Sequence, residues 1–209
     1  MATALITGAG RGLGKELARQ YAADGWKVIA TERRDVEMTN RKQIAAFAER
    51  LKGETIDLLF CNAGTYGPRG MRLGNLDYGA WEEVLRVNLL GPAALIEALV
   101  ESVAASERKV IAVMSSRLGS IAEASGSSFV YSTSKAALNA LAKGLSVTLA
   151  SRGIIVVALS PGWVRTDMGG ENAPLTPEQS VLGLRKVIEN LSLKESGKFL
   201  SHDGTEIPW

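Results

Sequence analysis

The sequence predicts an α/β protein built on one doubly wound parallel sheet, three layers deep, with about seven strands. Three observations carry that expectation. Short apolar runs alternate with longer segments of helical period along the whole chain. A glycine-rich turn joins the first run to the first helical segment. The 209 residues suit one domain but fall short of the roughly 250 that an eightfold barrel needs. No Pro/Gly/Ser-rich linker or internal repeat divides the chain, so residues 1–209 are read as one domain.

Ala2 to Thr7 reads as a short buried strand running into glycines. Gly12 to Asp24 follows as a helix, because Leu13, Leu17 and Tyr21 recur four apart on one face, and Gly25 ends it. Trp26 to Thr31 is apolar and β-prone. Asn40 caps a helix over Arg41 to Lys52, with Ile44, Phe47, Ala48 and Leu51 facing inward. Ile56 to Cys61 is a strand. Ala80 to Ser106 holds a long helical pattern around Gly91-Pro92, and Val110 to Met114 is another strand. Phe129 to Ser151 is helical. Ile154 to Leu159 is a β-branched run suited to a buried parallel strand. Thr176 caps the last helix, to Leu193, with Pro177 in its first turn.

Composition narrows the function. Hydrophobic residues are 46% and charged residues 22%, as in globular chains. Lys and Arg number 24 against 22 Asp and Glu, a net +2 that gives no reason to expect nucleic acid or an anionic membrane as partner. No apolar run in the sequence approaches the roughly 18 residues of a membrane span, and the N-terminal segment lacks a signal pattern. Cys61 is the only cysteine and His202 the only histidine, so no intrachain disulfide, cysteine-based zinc site or multi-histidine metal site is expected. A reducing compartment such as the cytoplasm is the default expectation.

Thr7-Gly8-Ala9-Gly10-Arg11-Gly12-Leu13-Gly14 sits between the first strand and first helix. Its glycines permit a tight turn and remove Cβ atoms that would block a pyrophosphate. The helix start offers unpaired N–H groups. A plain structural turn has the same composition, so a second signal is needed. Glu32, 24 residues after Gly8, falls near the separation of about 20 expected for a ribose-binding carboxylate. Its other reading is a solvated charge paired with Arg33 or Arg34. Tyr131 and Lys135 stand one helical turn apart, so their heads can converge. That pair alone is nearly uninformative. Ser115 and Ser116 strengthen it, because they end a strand at the carboxyl edge where open parallel sheets bind ligands.

Taken in order, these motifs resemble the short-chain dehydrogenase/reductase family, over Thr3 to about Thr166. The glycine motif is matched by Thr7, Gly8, Gly12 and Gly14, and the Asn-Ala-Gly motif by Asn62, Ala63 and Gly64. The family's mid-helix asparagine falls on Asn88, its Ser-x-x-Gly serine on Ser116, and its Tyr-x-x-x-Lys pair on Tyr131 and Lys135. Its Pro-Gly segment and later threonine fall on Pro161, Gly162 and Thr166. The C-terminal residues 197–209 are similar to the C-factor and sniffer-like carbonyl reductase branch.

The resemblance implies a Rossmann-like fold and hydride transfer between a nicotinamide cofactor and a carbonyl or secondary alcohol. It casts Tyr131 as general acid or base, Lys135 as the group that lowers the Tyr131 pKa and holds the nicotinamide ribose, Ser116 as the orienter of the substrate oxygen, and Asn88 as the holder of a water beside Lys135. Cofactor contacts fall on Thr7, Gly8, Arg11, Gly12, Leu13, Gly14, Glu32, Arg33, Glu37, Met38, Asn62, Ala63, Gly64, Tyr131, Lys135, Pro161, Gly162, Val164 and Thr166. Arg11, Arg33 and Arg34 could clamp the 2′-phosphate of NADP, while Glu32 would repel it, which tilts the expectation slightly toward NAD. A homodimer or homotetramer through the two long helical segments is implied. The competing reading is a cofactor-binding regulatory or signalling protein with little turnover.

Two departures stand out. The family's helix between its second and third strands is missing, since Glu32 runs almost at once into Val36-Glu37-Met38-Thr39, which reads as the third strand. Ser116 and Tyr131 are 15 residues apart, slightly beyond the usual spacing, which the loop Leu118 to Ser128 absorbs. The Gly119 to Ser128 loop and the Met168 to Leu175 segment are expected to shape the substrate pocket, the latter as a lid. Trp81, Trp163 and Trp209 read as core, interface or pocket aromatics, with Trp163 best placed for the pocket. His202 reads as a turn histidine and Cys61 as a small apolar core residue.

Overall fold

The computed structural model describes residues 1–209. Its centre is a six-stranded parallel sheet of short strands joined by crossovers that cover both faces. In chain order the strands are β1 (Thr3–Thr7), β2 (Lys27–Thr31), β3 (Leu58–Cys61), β4 (Val110–Met114), β5 (Ile155–Ser160) and β6 (Phe199–Ser201). The helices are α1 (Gly12–Ala23), α2 (Arg41–Arg50), α3 (Tyr78–Leu85), α4 (Gly91–Ala104), α5 (Phe129–Thr148) and α6 (Pro177–Glu189). Across the sheet the order is β2-β1-β3-β4-β5-β6. Strand order reverses between β1 and β3, so a crevice opens at the carboxyl ends of β1, β3 and β4.

Alternation along each central strand sends side chains to two separate cores. Leu5, Leu59, Ile111 and Val156 point toward α2, α4 and α5. Ala4, Ile6, Phe60 and Val157 point toward α1 and α6. β1, β3, β4 and β5 are buried along their whole length, which accounts for their unbroken apolar sequences. Caps set the helix starts. Asn40 accepts a hydrogen bond from the Gln43 N–H at 3.1 Å, and Thr176 and Gln179 form a reciprocal capping box.

Three expectations change. Val36 to Thr39 is not a strand, and the sheet has six strands rather than seven. Turn bonds within Glu32–Asn40 occupy the backbone that a ladder would use, while Val36 and Met38 drop into the core as two plugs. The inferred loss of the helix after β2 holds, and β2 becomes an outer strand. Tyr78 to Ala104 is one continuous 27-residue helical stretch, long and apolar enough by composition to cross a membrane, contrary to the sequence reading. Leu95, Ile96, Leu99 and Val103 on it pack against the sheet. Within it, residues Arg86–Leu90 form a single π-helical turn.

Candidate active site

The crevice begins with backbone. Gly8 takes φ +68°, a region costly for any side chain, and a Cβ there would lie 2.8 Å from Ala63 Cα. A Cβ on Gly14 would overlap the Gly8 carbonyl oxygen and sit 2.5 Å from Asn62 Nδ2. Asn62 explains that crowding: its amide donates to the carbonyls of Thr7 at 2.9 Å and Gly8 at 3.2 Å. Thr7 Oγ1 accepts the N–H groups of Asn62 and Ala63 at 3.1 and 3.0 Å. The Asn-Ala-Gly segment after β3 thus clamps the glycine turn after β1.

The first turn of α1 carries no acidic residue, and Arg11 at its N-cap position offers no side-chain acceptor. The leading N–H groups of this helix are therefore unclaimed by a side chain, the donor set that a pyrophosphate fits. Gly12 faces Thr166, whose methyl would stand 3.5 Å from an added Cβ. Thr166 is itself fixed by Gly169 N–H, at 3.1 Å.

The charged residues of this end pair among themselves. Arg11 bonds Asp167 at 2.6 Å, Arg33 bonds Glu37, and Arg34 reaches Glu32 at 3.3 Å.

The second half of the site is made of side chains. Asn88 lies in the π turn and is fully buried. Its Oδ1 accepts the Thr65 N–H at 2.8 Å, and its Nδ2 donates to the Thr65 carbonyl at 2.8 Å and Ser134 Oγ at 2.9 Å. A π turn inserts one residue into the helix, and such turns occur often at functional sites; this one carries Asn88. A Cβ placed on Gly64 would be 3.3 Å from Asn88 Oδ1 and 3.4 Å from Lys135 Nζ, so both groups face Gly64.

Lys135 rises from α5, buried, and donates to the Met114 carbonyl at the end of β4, at 2.7 Å. Its Nζ stands 5.6 Å from the centre of the Tyr131 ring. Ser116 is extended, caps a short 3₁₀ turn at Arg117–Gly119, and its hydroxyl accepts the Leu118 N–H at 3.2 Å. Ser115 turns the other way, into Asn139 Oδ1 at 2.6 Å.

Burial sets the electrostatics of this pair. Burial pushes the Tyr131 phenol up to about 12, against an opposing pull from the Ser116 hydroxyl. Burial also pulls the Lys135 ammonium down to about 8. Loss of water around the phenolate outweighs the pull of the Ser116 hydroxyl, and Tyr66 adds to the rise. Tyr131 holds its proton at neutral pH.

One neighbour escaped the sequence reading. Tyr66, two residues past the Asn-Ala-Gly segment, stacks on Tyr131 with ring centres 4.6 Å apart and planes 23° apart. Its hydroxyl bonds Ser128, a left-handed non-glycine residue (φ +55°) that opens α5. Arg69 lies over the other side of the loop, 4.9 Å from the Tyr66 ring centre. The signal available in sequence was an aromatic on the loop leaving a strand's carboxyl end.

The pocket aromatics sort differently from expectation. Trp163 is 57% exposed and bonds the Gly169 carbonyl at 2.7 Å, bracing the 163–170 segment rather than lining the cavity beside Tyr131. Trp81 bonds Thr133, and Trp209 packs on Phe199. His202 packs beside Gly162, and buried Cys61 joins the core with its thiol pushed up to about 12. Pro161 is anchored by Ser180 at 2.6 Å, and Val164 is bridged to Leu175.

Comparison with known proteins decides the family. The short chain dehydrogenase family model matches residues 2–45 and 34–175. The chain belongs to the short-chain dehydrogenase family. Among curated relatives, the C-signal protein of Myxococcus xanthus is 38% identical over 165 residues, covering 78% of this chain and 99% of that protein. Carbonyl reductase Sniffer of D. melanogaster superimposes with a TM-score of 0.89 at 30% identity, over the whole of both chains. A short-chain dehydrogenase/reductase of Burkholderia multivorans, solved with bound NADP, gives a TM-score of 0.90 at 32% identity over 100% of this chain and 99% of that one. The sniffer-like resemblance of the sequence is matched by these structures.

Proposed function

We propose that this short-chain dehydrogenase reduces a carbonyl compound to a secondary alcohol, with Tyr131 as proton donor and NAD or NADP as cofactor. One observation carries the reading: Ser116, Tyr131 and Lys135 gather at the end of β4, beside a glycine turn whose helix N–H groups are free of side-chain caps.

The residues divide the work. The turn from Gly8 to Gly14, with the first N–H groups of α1, would hold the pyrophosphate. Asn62, Ala63 and Gly64 keep that turn in shape. Pro161, Gly162 and Val164 would border the nicotinamide, and Thr166 the pyrophosphate. When bound, the cofactor supplies the hydride. Tyr131 keeps its proton at neutral pH because burial disfavours the phenolate, so its hydroxyl is poised to donate to a carbonyl oxygen. Ser116 orients that oxygen and stabilises charge gathering on it. Lys135 and Asn88, both facing Gly64, would supply the polar route by which Tyr131 is reprotonated.

The slight tilt toward NAD is dropped. The Burkholderia neighbour binds NADP. Glu32, the residue that argued for NAD, is turned toward Arg34 here. The cofactor is stated as NAD or NADP.

A homodimer or homotetramer through α3, α4 and α5 completes the proposal; light scattering at micromolar concentration is its test, and a single 22 kDa species overturns it. The C-signal similarity favours a signalling role as the second reading. The two separate on turnover. Incubation with NADH or NADPH and a panel of ketones and aldehydes should consume reduced cofactor, and the Tyr131→Phe protein should not. Cofactor binding without turnover of any carbonyl overturns the enzymatic reading.

A further inference from the structure

We infer that the substrate carries a carboxylate in addition to its reacting carbonyl, and that Arg69 and Arg72 receive it. The inference rests on the reading of Tyr131 as the proton donor. A cavity of about 390 Å³ adjoins Tyr131, between the loop after β3 and the entry to α5. Tyr66, Arg69, Arg72 and Ser127 stand on its wall, and no aspartate or glutamate does.

Both arginines lack a counter-charge. Eight arginines of this chain reach a carboxylate within 4.0 Å; Arg69 and Arg72 are among the six that reach none, and of those six they alone line this cavity. Two unpaired positive heads on one cavity wall raise the local potential and favour an anion there.

Arg69 is also held ready. Its guanidinium lies on the Tyr66 ring, and one Nη donates to the Met168 carbonyl at 2.7 Å. The remaining N–H groups of that planar fork are left for a ligand, and a carboxylate is the planar acceptor that matches a fork. The loop that carries Arg72 is fixed by the Arg72 N–H bond to Asn75 Oδ1 at 2.7 Å. Tyr66 ties this arrangement to chemistry, because the ring under Arg69 is the ring stacked on Tyr131. Both heads are exposed, so water competes with them and the effect is moderate.

The test compares acids with their neutral twins. Reduction of 2-oxo, 4-oxo and 6-oxo carboxylates is measured against their methyl esters with NADPH and NADH. At the best spacing kcat/KM should favour the acid by about tenfold, the size of one charge-assisted hydrogen bond. The ratio should fall to near unity in the Arg69→Met/Arg72→Met protein while ester turnover is retained. An ester used as well as its acid, or a preference that survives in the double variant, overturns the inference.

A second arm does not need turnover. Calorimetry on the cofactor-free protein compares 4-phenylbutanoate with 4-phenylbutanamide. If the acid binds and the amide does not, and the double variant loses the difference, the anion site stands even should no carbonyl be reduced. If the amide binds as well as the acid, the anion site fails even should carbonyls be reduced. A phosphonate analogue binding ten times tighter than the carboxylate would overturn the choice of carboxylate.

Discussion

The two halves of the crevice are built of different material. The glycine turn between β1 and α1 is a backbone device: its shape depends on absent Cβ atoms and on Asn62 and Thr7 bridging two strands. The region around Tyr131 is a side-chain device, in which Asn88, Lys135, Ser116 and Tyr66 each take a position from a different element. A backbone device fails sterically when a residue grows. A side-chain device fails chemically when a single atom is lost, with little change in stability.

The largest expected effect follows from that contrast. Tyr131→Phe removes one oxygen and leaves the stacking ring, so kcat should fall by about a thousandfold, roughly 4 kcal/mol in barrier. Melting temperature and cofactor affinity should hardly move. Steady-state kinetics alongside a cofactor titration checks this; kcat within tenfold of the parent would remove Tyr131 from the chemistry.

Gly14→Ala is the counterpart on the backbone side. The new Cβ overlaps the Gly8 carbonyl and crowds Asn62, so the turn must shift, at a cost of about 3 kcal/mol. Stability and cofactor affinity should drop together. Urea denaturation and fluorescence titration read the two, and an unchanged urea midpoint would contradict the tight packing of the turn.

Buried charge gives the third expectation. Lys135 titrates near about 8 in the folded chain but near 10.5 when unfolded, so between those values the unfolded chain binds more protons. Taken by itself, Lys135 should therefore stabilise the fold increasingly with pH there, by roughly 2 kcal/mol from pH 7.5 to 10. From about pH 9 the gain is opposed, because Cys61, and from about pH 10 Tyr21 and Tyr131, keep their protons up to about 12 while the unfolded groups have lost theirs. Urea unfolding against pH should show the stability of the parent rising by about that amount relative to Lys135→Met, since the thiol and phenols act in both proteins.

Glu32→Gln should do least. The Glu32–Arg34 pair is exposed, worth less than about 0.5 kcal/mol of stability. Its removal should strengthen NADPH binding by a few-fold and leave NADH binding nearly unchanged. Parallel titrations at fixed ionic strength decide; a loss of NADH affinity beyond tenfold would restore Glu32 as a ribose ligand.

The same contrast governs what the sequence disclosed. Helices and central strands were legible because burial on one or two faces imposes a period on the residues, and caps such as Asn40 and Thr176 mark where it starts. Val36 to Thr39 deceived for the same reason. Alternation reports which side chains are buried, and Val36 and Met38 are buried, but it says nothing about whether the backbone has a ladder partner. In the site, motif residues were legible because close backbone approach and proton chemistry tolerate few residue types. Tyr66, Arg69 and Arg72 were not, since a ring against a ring and a cation without a partner exist only once distant segments have folded together.

The lost outer strand has a consequence beyond the cofactor crevice. β2 pairs with β1 on one side and has no strand on the other, so its outer peptide groups form a template on which a foreign strand could grow. The chain keeps that template short, at five residues, and opens it with Lys27, which is itself tied to Glu54 at 2.5 Å. A fold trimmed in this way relies on brevity and charge, rather than on a covering strand, to stay out of fibrils.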